Sequence, residues 1–200
     1  MKKLILVAPN PALCEEFRKS FAQYVEVEVV NDFFEKITEF DCMVSAANSF
    51  GLMDGGVDLA ITRFFGWELQ TRVQDKIIKE FRGEQPVGTS IIVKTNHQKH
   101  PFIVHTPTMR VPLPITRMDN VYKAMFAMLL AVTKHNEQSN QKINTVVCPG
   151  LGTATGKVKP REASRQMELA YRNFMNPPSK INWDYALKRQ QEIIYGGDIF

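Results

Sequence analysis

The chain predicts an α/β fold of stacked layers. Three observations carry this: short apolar runs, several of them rich in Val and Ile, helical patterns between those runs, and glycine-rich loops where strands pass into helices. Continuous apolar runs are expected of strands covered on both faces, and strands that alternate with helices argue for a layered α/β architecture.

The expected strands are Lys3 to Ala8, Val25 to Val30, Asp41 to Ala47, Thr89 to Lys94, Phe102 to His105 and Ile143 to Cys148. The first follows Met-Lys-Lys and briefly imitates a signal peptide. Its apolar stretch stops at Pro9-Asn10-Pro11, too soon for a secretory segment, and a core strand is the better reading. Pro11 to Ala22 spaces Leu13, Phe17 and Phe21 at helical intervals. Helical patterns also cover Val57 to Phe65, Glu68 to Phe81 and Val121 to His135, the last apolar on most faces. Arg161 to Met175 lines Ala163, Met167, Ala170, Tyr171 and Phe174 along one stripe. After the break at Asn176-Pro177-Pro178-Ser179, Asn182 offers a cap for a final helix from Trp183 to Ile194. We therefore expect one main domain over residues 1–176 and a helical appendage, 177–200, packed on it.

Composition excludes more than it selects. The 200 residues are 44% hydrophobic and 23% charged, an ordinary globular balance, and no apolar run is long enough to span a bilayer. The formal net charge of +4 suits an anionic small ligand, while no Lys/Arg block has the length of a nucleic-acid-binding tail. Cys14, Cys42 and Cys148 are odd in number and far apart; Cys42 and Cys148 fall in strand-like runs where a reduced, buried thiol is usual. The expected compartment is the cytoplasm.

Two loops carry the chemistry. After the strand ending near Ala47, Asn48 is followed by Gly51, Asp54, Gly55 and Gly56, and Val57-Asp58-Leu59 opens a helix. After the strand ending at Cys148 come Pro149, Gly150, Leu151, Gly152, Thr153, Ala154, Thr155, Gly156 and Lys157, with Lys159 before a helix that starts near Pro160. A glycine-rich loop that feeds a helix N-terminus presents backbone N–H groups and partial positive charge to a phosphate. Ligands of open α/β sheets sit beyond the carboxyl ends of the strands, so two such loops on neighbouring strands can grip a diphosphate from both sides.

The combination Val44-Ser-Ala-Ala-Asn48, Gly55-Gly56-Val57-Asp58 and Pro149-Gly-Leu-Gly-Thr153 with Gly156 resembles a macro domain, the ADP-ribose-binding fold. Ala47-Asn48-Ser49-Phe50-Gly51 with Met53-Asp54-Gly55-Gly56, and later Pro107-Thr108-Met109-Arg110-Val111-Pro112, is most similar to the macro-domain-like proteins of bacteria and their phages. The resemblance covers residues 1–176. It implies a three-layer α/β/α sandwich around a mixed central sheet, with ADP-ribose or an ADP-ribosylated substrate across the strand ends and neither metal nor cofactor. By the same resemblance Asn48 bonds the distal ribose, and Gly55, Gly56 and Val57 wrap that ribose and the nearby phosphate. Gly150, Leu151, Gly152, Thr153, Ala154, Thr155 and Gly156 form the diphosphate loop. Asp32, in Val30-Asn31-Asp32-Phe33 rather than the usual Gly-Asp-Ile, accepts from the adenine amino group. Asp58 matches the water-orienting aspartate of the MacroD-type hydrolases.

Three positions depart from that pattern. Ser45 replaces the first asparagine of Asn-Ala-Ala-Asn, Ala154 a frequent glycine, and Thr62 a frequent histidine. The Cys/His ligands of zinc-dependent macro domains and the Gln-Glu-Glu of poly(ADP-ribose) glycohydrolases do not accompany the glycine loop. In hydrolysis of an ADP-ribosyl linkage or of ADP-ribose 1″-phosphate, water attacks the anomeric carbon, and a carboxylate close by can hold that water and stabilise the developing charge, a role the ligand's own phosphate can share. Asp58 is the first candidate and Asp54 the second, with Asn48 on the sugar. Each has a plainer alternative: Asp58 as a first-turn acid on the helix dipole, Asp54 as a solvated turn residue, Asn48 as a turn or capping residue, and Phe50 as a plug between loop and core. A non-catalytic reader of ADP-ribose or of an NAD-derived nucleotide, and single-stranded RNA binding through the basic balance, are the other functional classes. His97 and His100 lie in what reads as a polar turn, Asn96 to Pro101, and Arg110 and Arg117 as exposed loop cations.

Overall fold

The computed structural model describes residues 1–195; positions 196–200, the end of the expected 177–200 appendage, lie outside the described residues. Six strands form one sheet: β1 (Lys3–Val7), β2 (Val27–Val30), β3 (Cys42–Asn48), β4 (Ile91–Lys94), β5 (Phe102–Met109) and β6 (Thr145–Pro149), in the order β2-β1-β6-β3-β5-β4. All neighbours run parallel except β4, which is antiparallel to β5, so the sheet is mixed. The helices are α1 (Pro11–Ser20), α2 (Gly56–Phe65), α3 (Glu68–Phe81), α4 (Asn120–Gln138), α5 (Pro160–Met175) and α6 (Trp183–Tyr195).

Strand alternation divides the core in two. Leu4, Leu6, Cys42, Val44, Phe102, Val104, Val146 and Cys148 face α1, α4 and α5. Ile5, Val7, Met43, Ile103 and Val147, the intervening residues, face α2 and α3. Both faces of the central strands are thus dry, which is why they read as unbroken apolar runs. All three cysteines are buried and free.

Local chemistry sets the element ends. Asn10 caps α1, its Oδ1 accepting from Ala12 N at 2.9 Å, and Pro11 follows at the first helical position, where a missing N–H costs nothing. Pro160 begins α5 in the same way. Several strand limits differ from expectation: β3 runs from Cys42 to Asn48 rather than Asp41 to Ala47, β4 starts at Ile91 rather than Thr89, and β6 runs from Thr145 to Pro149 rather than Ile143 to Cys148. Val25 is fully exposed in a turn, and β2 starts at Val27. The expected strand Phe102 to His105 continues to Met109 through Pro107. The reason is positional: pairing with β4 stops at Ile91↔His105, so beyond it β5 has only β3 as a partner and a residue without an N–H is tolerated on the open edge.

The C-terminal helix docks through arginines, Arg172 of α5 facing Glu192 at 3.8 Å. Arg165 on α5 donates to the Glu192 and Ile193 carbonyls at 2.8 and 2.9 Å. Arg189 lies over the Tyr122 and Phe126 rings at 5.9 and 5.2 Å. No helix among the described residues is long and apolar enough to cross a membrane.

The two-sided core makes a simple forecast. Phe17 is fully buried, so Phe17→Ala is expected to cost about 3–5 kcal/mol, whereas Phe33→Ala, at an exposed ring, is expected to stay within about 0.5 kcal/mol. Urea denaturation of the two variants beside the parent tests the contrast.

Candidate active site

β3 pairs with β6 only over Cys42↔Val146 and Met43↔Val147, although β3 continues to Asn48 and β6 to Pro149. Past that point β3 stays with β5 and β6 stays with β1. A cleft of about 710 Å³ occupies the resulting gap, at the carboxyl ends of the parallel strands. Its wall residues are drawn from within 8–10 after β1, 32–35 after β2, 48–58 from the end of β3 onward, Thr108 and Met109 of β5, and 149–160 from the end of β6 onward.

The cleft gathers nearly every residue expected in a site: Asp32, Asn48, Asp54, Gly55, Gly56, Val57, Asp58, Gly150, Gly152, Thr153, Ala154, Thr155 and Gly156 all line it. Leu151 does not. Its side chain is fully buried in the core, so only its backbone is available to the loop. Lys157 and Lys159 are also absent from the wall, which among the described residues carries no lysine or arginine. An anion in this cleft would therefore meet backbone N–H groups and helix N-termini rather than cations.

The loops are held by their own polar groups. Asn48 accepts at Oδ1 from the Phe50 and Leu52 amides (3.0 and 3.3 Å) and donates from Nδ2 to the Leu52 carbonyl at 2.7 Å. It thus folds the loop while one amide hydrogen remains for another acceptor. Gly56 has φ +56°, a conformation that a side chain would strain, and it is the first residue of α2. In the second loop Gly156 lies against the Gly152 carbonyl, where a Cβ would collide with backbone. Val158 N donates to Gly152 O at 3.1 Å, closing the loop on itself, and Ile115 N donates to Gly156 O at 2.8 Å, tying the loop to the segment between β5 and α4. The Thr153 hydroxyl is spent on Gly150 O at 2.9 Å.

Asp58 is the most constrained acid. It sits in the first turn of α2, 6% exposed, and its Oδ1 accepts from the Ser45 hydroxyl at 2.7 Å. Burial pushes its pKa up to about 7, and the Ser45 hydrogen bond partly opposes the rise. Thr62, one turn on, places its hydroxyl 2.5 Å from the Asp58 carbonyl and 2.9 Å from that of Met53, tying helix to loop. Asp54 is exposed on the loop tip. Asp32 is exposed as well and accepts from Phe33 N at 2.7 Å.

Sequence reasoning missed several groups here. Phe33 presents an exposed ring to the cleft beside Asp32; an aromatic next to a candidate acid was the available signal. Ser45 registered only as a departure, yet it is the partner of Asp58. His105, read as a strand residue, is fully buried behind Ser45, and burial lowers its pKa to about 3. The segment Asn96 to Pro101 is not simply a polar turn: His100 is buried, stacked on Phe40 with ring centroids 3.8 Å apart, its Nδ1 2.8 Å from Phe40 O. Arg110 is paired with Glu84 at 2.8 Å.

The raised pKa of Asp58 has a stability consequence with a definite sign. Between its ordinary value of 3.8 and about 7 the folded chain holds a proton that the unfolded chain has lost, so stability falls as pH rises through that window and stays lower above it. Asp58→Asn removes the effect. The variant is expected to be more stable than the parent at pH 8, by an amount on the order of a few kcal/mol, and nearly equal to it at pH 4. Taking the difference between variant and parent cancels the acid-side loss that His105 causes in both. Urea midpoints at the two pH values check it.

A Macro domain family model matches residues 44–167, a span that takes in both glycine loops. An uncharacterized protein of Aquifex aeolicus (strain VF5) is 30% identical over 150 residues, which cover 75% of this chain and 83% of that one. Among solved structures, a mutant Oceanobacillus iheyensis macrodomain with ADPR aligns at TM-score 0.62 and 21% identity, over 97% of this chain and 94% of that one. The same macrodomain with ADP aligns at 0.59 and 23%, over 82% and 87%. The macrodomain of Mycobacterium tuberculosis DarG aligns at 0.58 and 20%, over 72% and 88%. At these identities the structural likeness is one of fold. With the family match across the two loops and the mixed sheet between its two helical layers, the chain belongs to the Macro domain family.

Proposed function

We propose that this protein binds ADP-ribose or a close derivative in the cleft between its two glycine loops and hydrolyses an ADP-ribosyl linkage or ADP-ribose 1″-phosphate. The observation that carries the reading is the convergence of both loops and Asp58 on one cleft whose volume suits a nucleotide-sized ligand. In this reading the diphosphate rests on the backbone of Gly150–Gly156 and on the start of α2. The adenine lies by Asp32, where Phe33 offers a ring to stack on. The distal ribose meets Gly55, Gly56 and the remaining amide hydrogen of Asn48. That the Cβ position of Gly55 is open fits a wall that a ligand approaches closely.

The chemistry follows from Asp58. Attack of water on the anomeric carbon develops positive charge on the sugar, and a carboxylate beside it holds the water, accepts its proton and stabilises that charge. A carboxyl with a pKa near 7 is well matched to this work at neutral pH. Asp54, exposed on the loop tip, is the second candidate. A reader that binds without turnover is the alternative, favoured by Thr62, whose hydroxyl is committed to backbone carbonyls and offers no imidazole for proton transfer.

Calorimetry with ADP-ribose at physiological salt tests binding, and the absence of heat there would sink the whole reading. Turnover is tested with ADP-ribosylated protein and with ADP-ribose 1″-phosphate. Asp58→Ala is expected to lower it by about a hundredfold or more while ADP-ribose affinity changes less than about tenfold. The parent's rate is expected to fall as pH drops below about 7, where Asp58 becomes protonated. Binding with no turnover of either substrate supports the reader.

A further inference from the structure

A line of buried polar groups stands behind Asp58. Ser45 and His105 are paired positions on the parallel neighbours β3 and β5, so their side chains lie side by side on the face that α2 and α3 cover. Both are fully buried, as is Gln85. The Gln85 amide nitrogen donates toward the carbonyls of Thr89 (3.2 Å) and His105 (3.3 Å), which leaves Oε1 as an acceptor 2.7 Å from His105 Nδ1. That acceptor assigns the imidazole proton to Nδ1 and leaves Nε2 with a bare lone pair. Nε2 is sealed from solvent with no partner. A buried acceptor without a donor is costly and calls for an explanation.

Resting on the hydrolase reading of Asp58, we propose that Ser45 is a positioning residue with two hydrogen-bonding states and that His105 Nε2 is the acceptor for the second. With Asp58 ionised, the Ser45 hydroxyl donates to Oδ1, as observed. When Asp58 takes the proton of the attacking water, its new O–H donates to Ser45 Oγ, and the hydroxyl turns its own hydrogen to His105 Nε2. The only proton that changes owner passes from water to Asp58; His105 stays neutral, and burial keeps it from competing. In the protonated state the swing gives the Asp58 hydroxyl, the Ser45 hydroxyl and His105 Nε2 each a partner, so Asp58 can hold the proton without an orphan hydroxyl. The other acids on the cleft wall are Asp32, Glu35 and Asp54, and His105 is the titratable group on the strand behind.

The test is nitrogen NMR of the imidazoles across about pH 5 to 9, a range that brackets the Asp58 midpoint. The His105 Nε2 resonance is expected to move as its lone pair gains a hydrogen bond, with Nδ1 protonated throughout. That movement is expected to vanish in Ser45→Ala and in Asp58→Asn. In kinetics, Ser45→Ala is expected to lose about tenfold to a hundredfold in kcat and to shift the acid limb to higher pH, with ADP-ribose affinity unchanged. An Nε2 signal that stays still, or that moves equally in Asp58→Asn, overturns the proposal. A parent without turnover but with the coupled Nε2 movement removes the hydrolase reading and leaves the hydrogen-bond switch standing.

Discussion

The short contact between β3 and β6 is the constraint on which the site depends. Two register pairs hold the strands side by side, and each then follows a different neighbour, β3 with β5 and β6 with β1. A longer ladder would close the gap, and a missing one would let the sheet fall into halves. Because the contact lies at the amino-terminal starts of both strands, the separation opens toward the carboxyl ends alone. Each glycine loop leaves its strand at the edge of that gap, and α2 starts there.

Around this opening, polar groups are spent mainly on building the walls. Asn48 and Thr153 hold their own loops, Thr62 joins α2 to Met53, and Gln85 fixes the His105 ring. With no cation on the wall among the described residues, recognition of an anion falls to backbone N–H groups, which cannot rotate away and lose no side-chain entropy on binding. The acids are graded by burial. Asp32 and Asp54 sit in solvent, while Asp58 is enclosed and hydrogen-bonded, and burial lifts its pKa toward neutrality.

Much of the fold and site was legible in the chain. Strands with two dry faces give unbroken apolar runs, so Leu4 to Val7 and Val146 to Cys148 announce themselves. Asparagine and proline at residues 10 and 11 mark a helix start by local stereochemistry. The glycines mark loops whose backbone must pass close to something, although at Gly156 that something is the Gly152 carbonyl rather than a ligand. Several strand ends were misread because their limits are not local. Val25 is apolar yet fully exposed, and Pro107 is tolerated only because β4 has already left β5.

By itself the sequence determined the alternation of strands and helices, the two loops and the acids near them, because those follow from periodicity and backbone chemistry over a few residues. Only the tertiary structure decided the strand order, the gap between β3 and β6, the absence of Lys157 and Lys159 from the wall, and the pairing of Ser45 with Asp58 and His105. Those depend on the register between segments distant in the chain. Register is set by how whole apolar faces pack, which no short stretch of residues encodes.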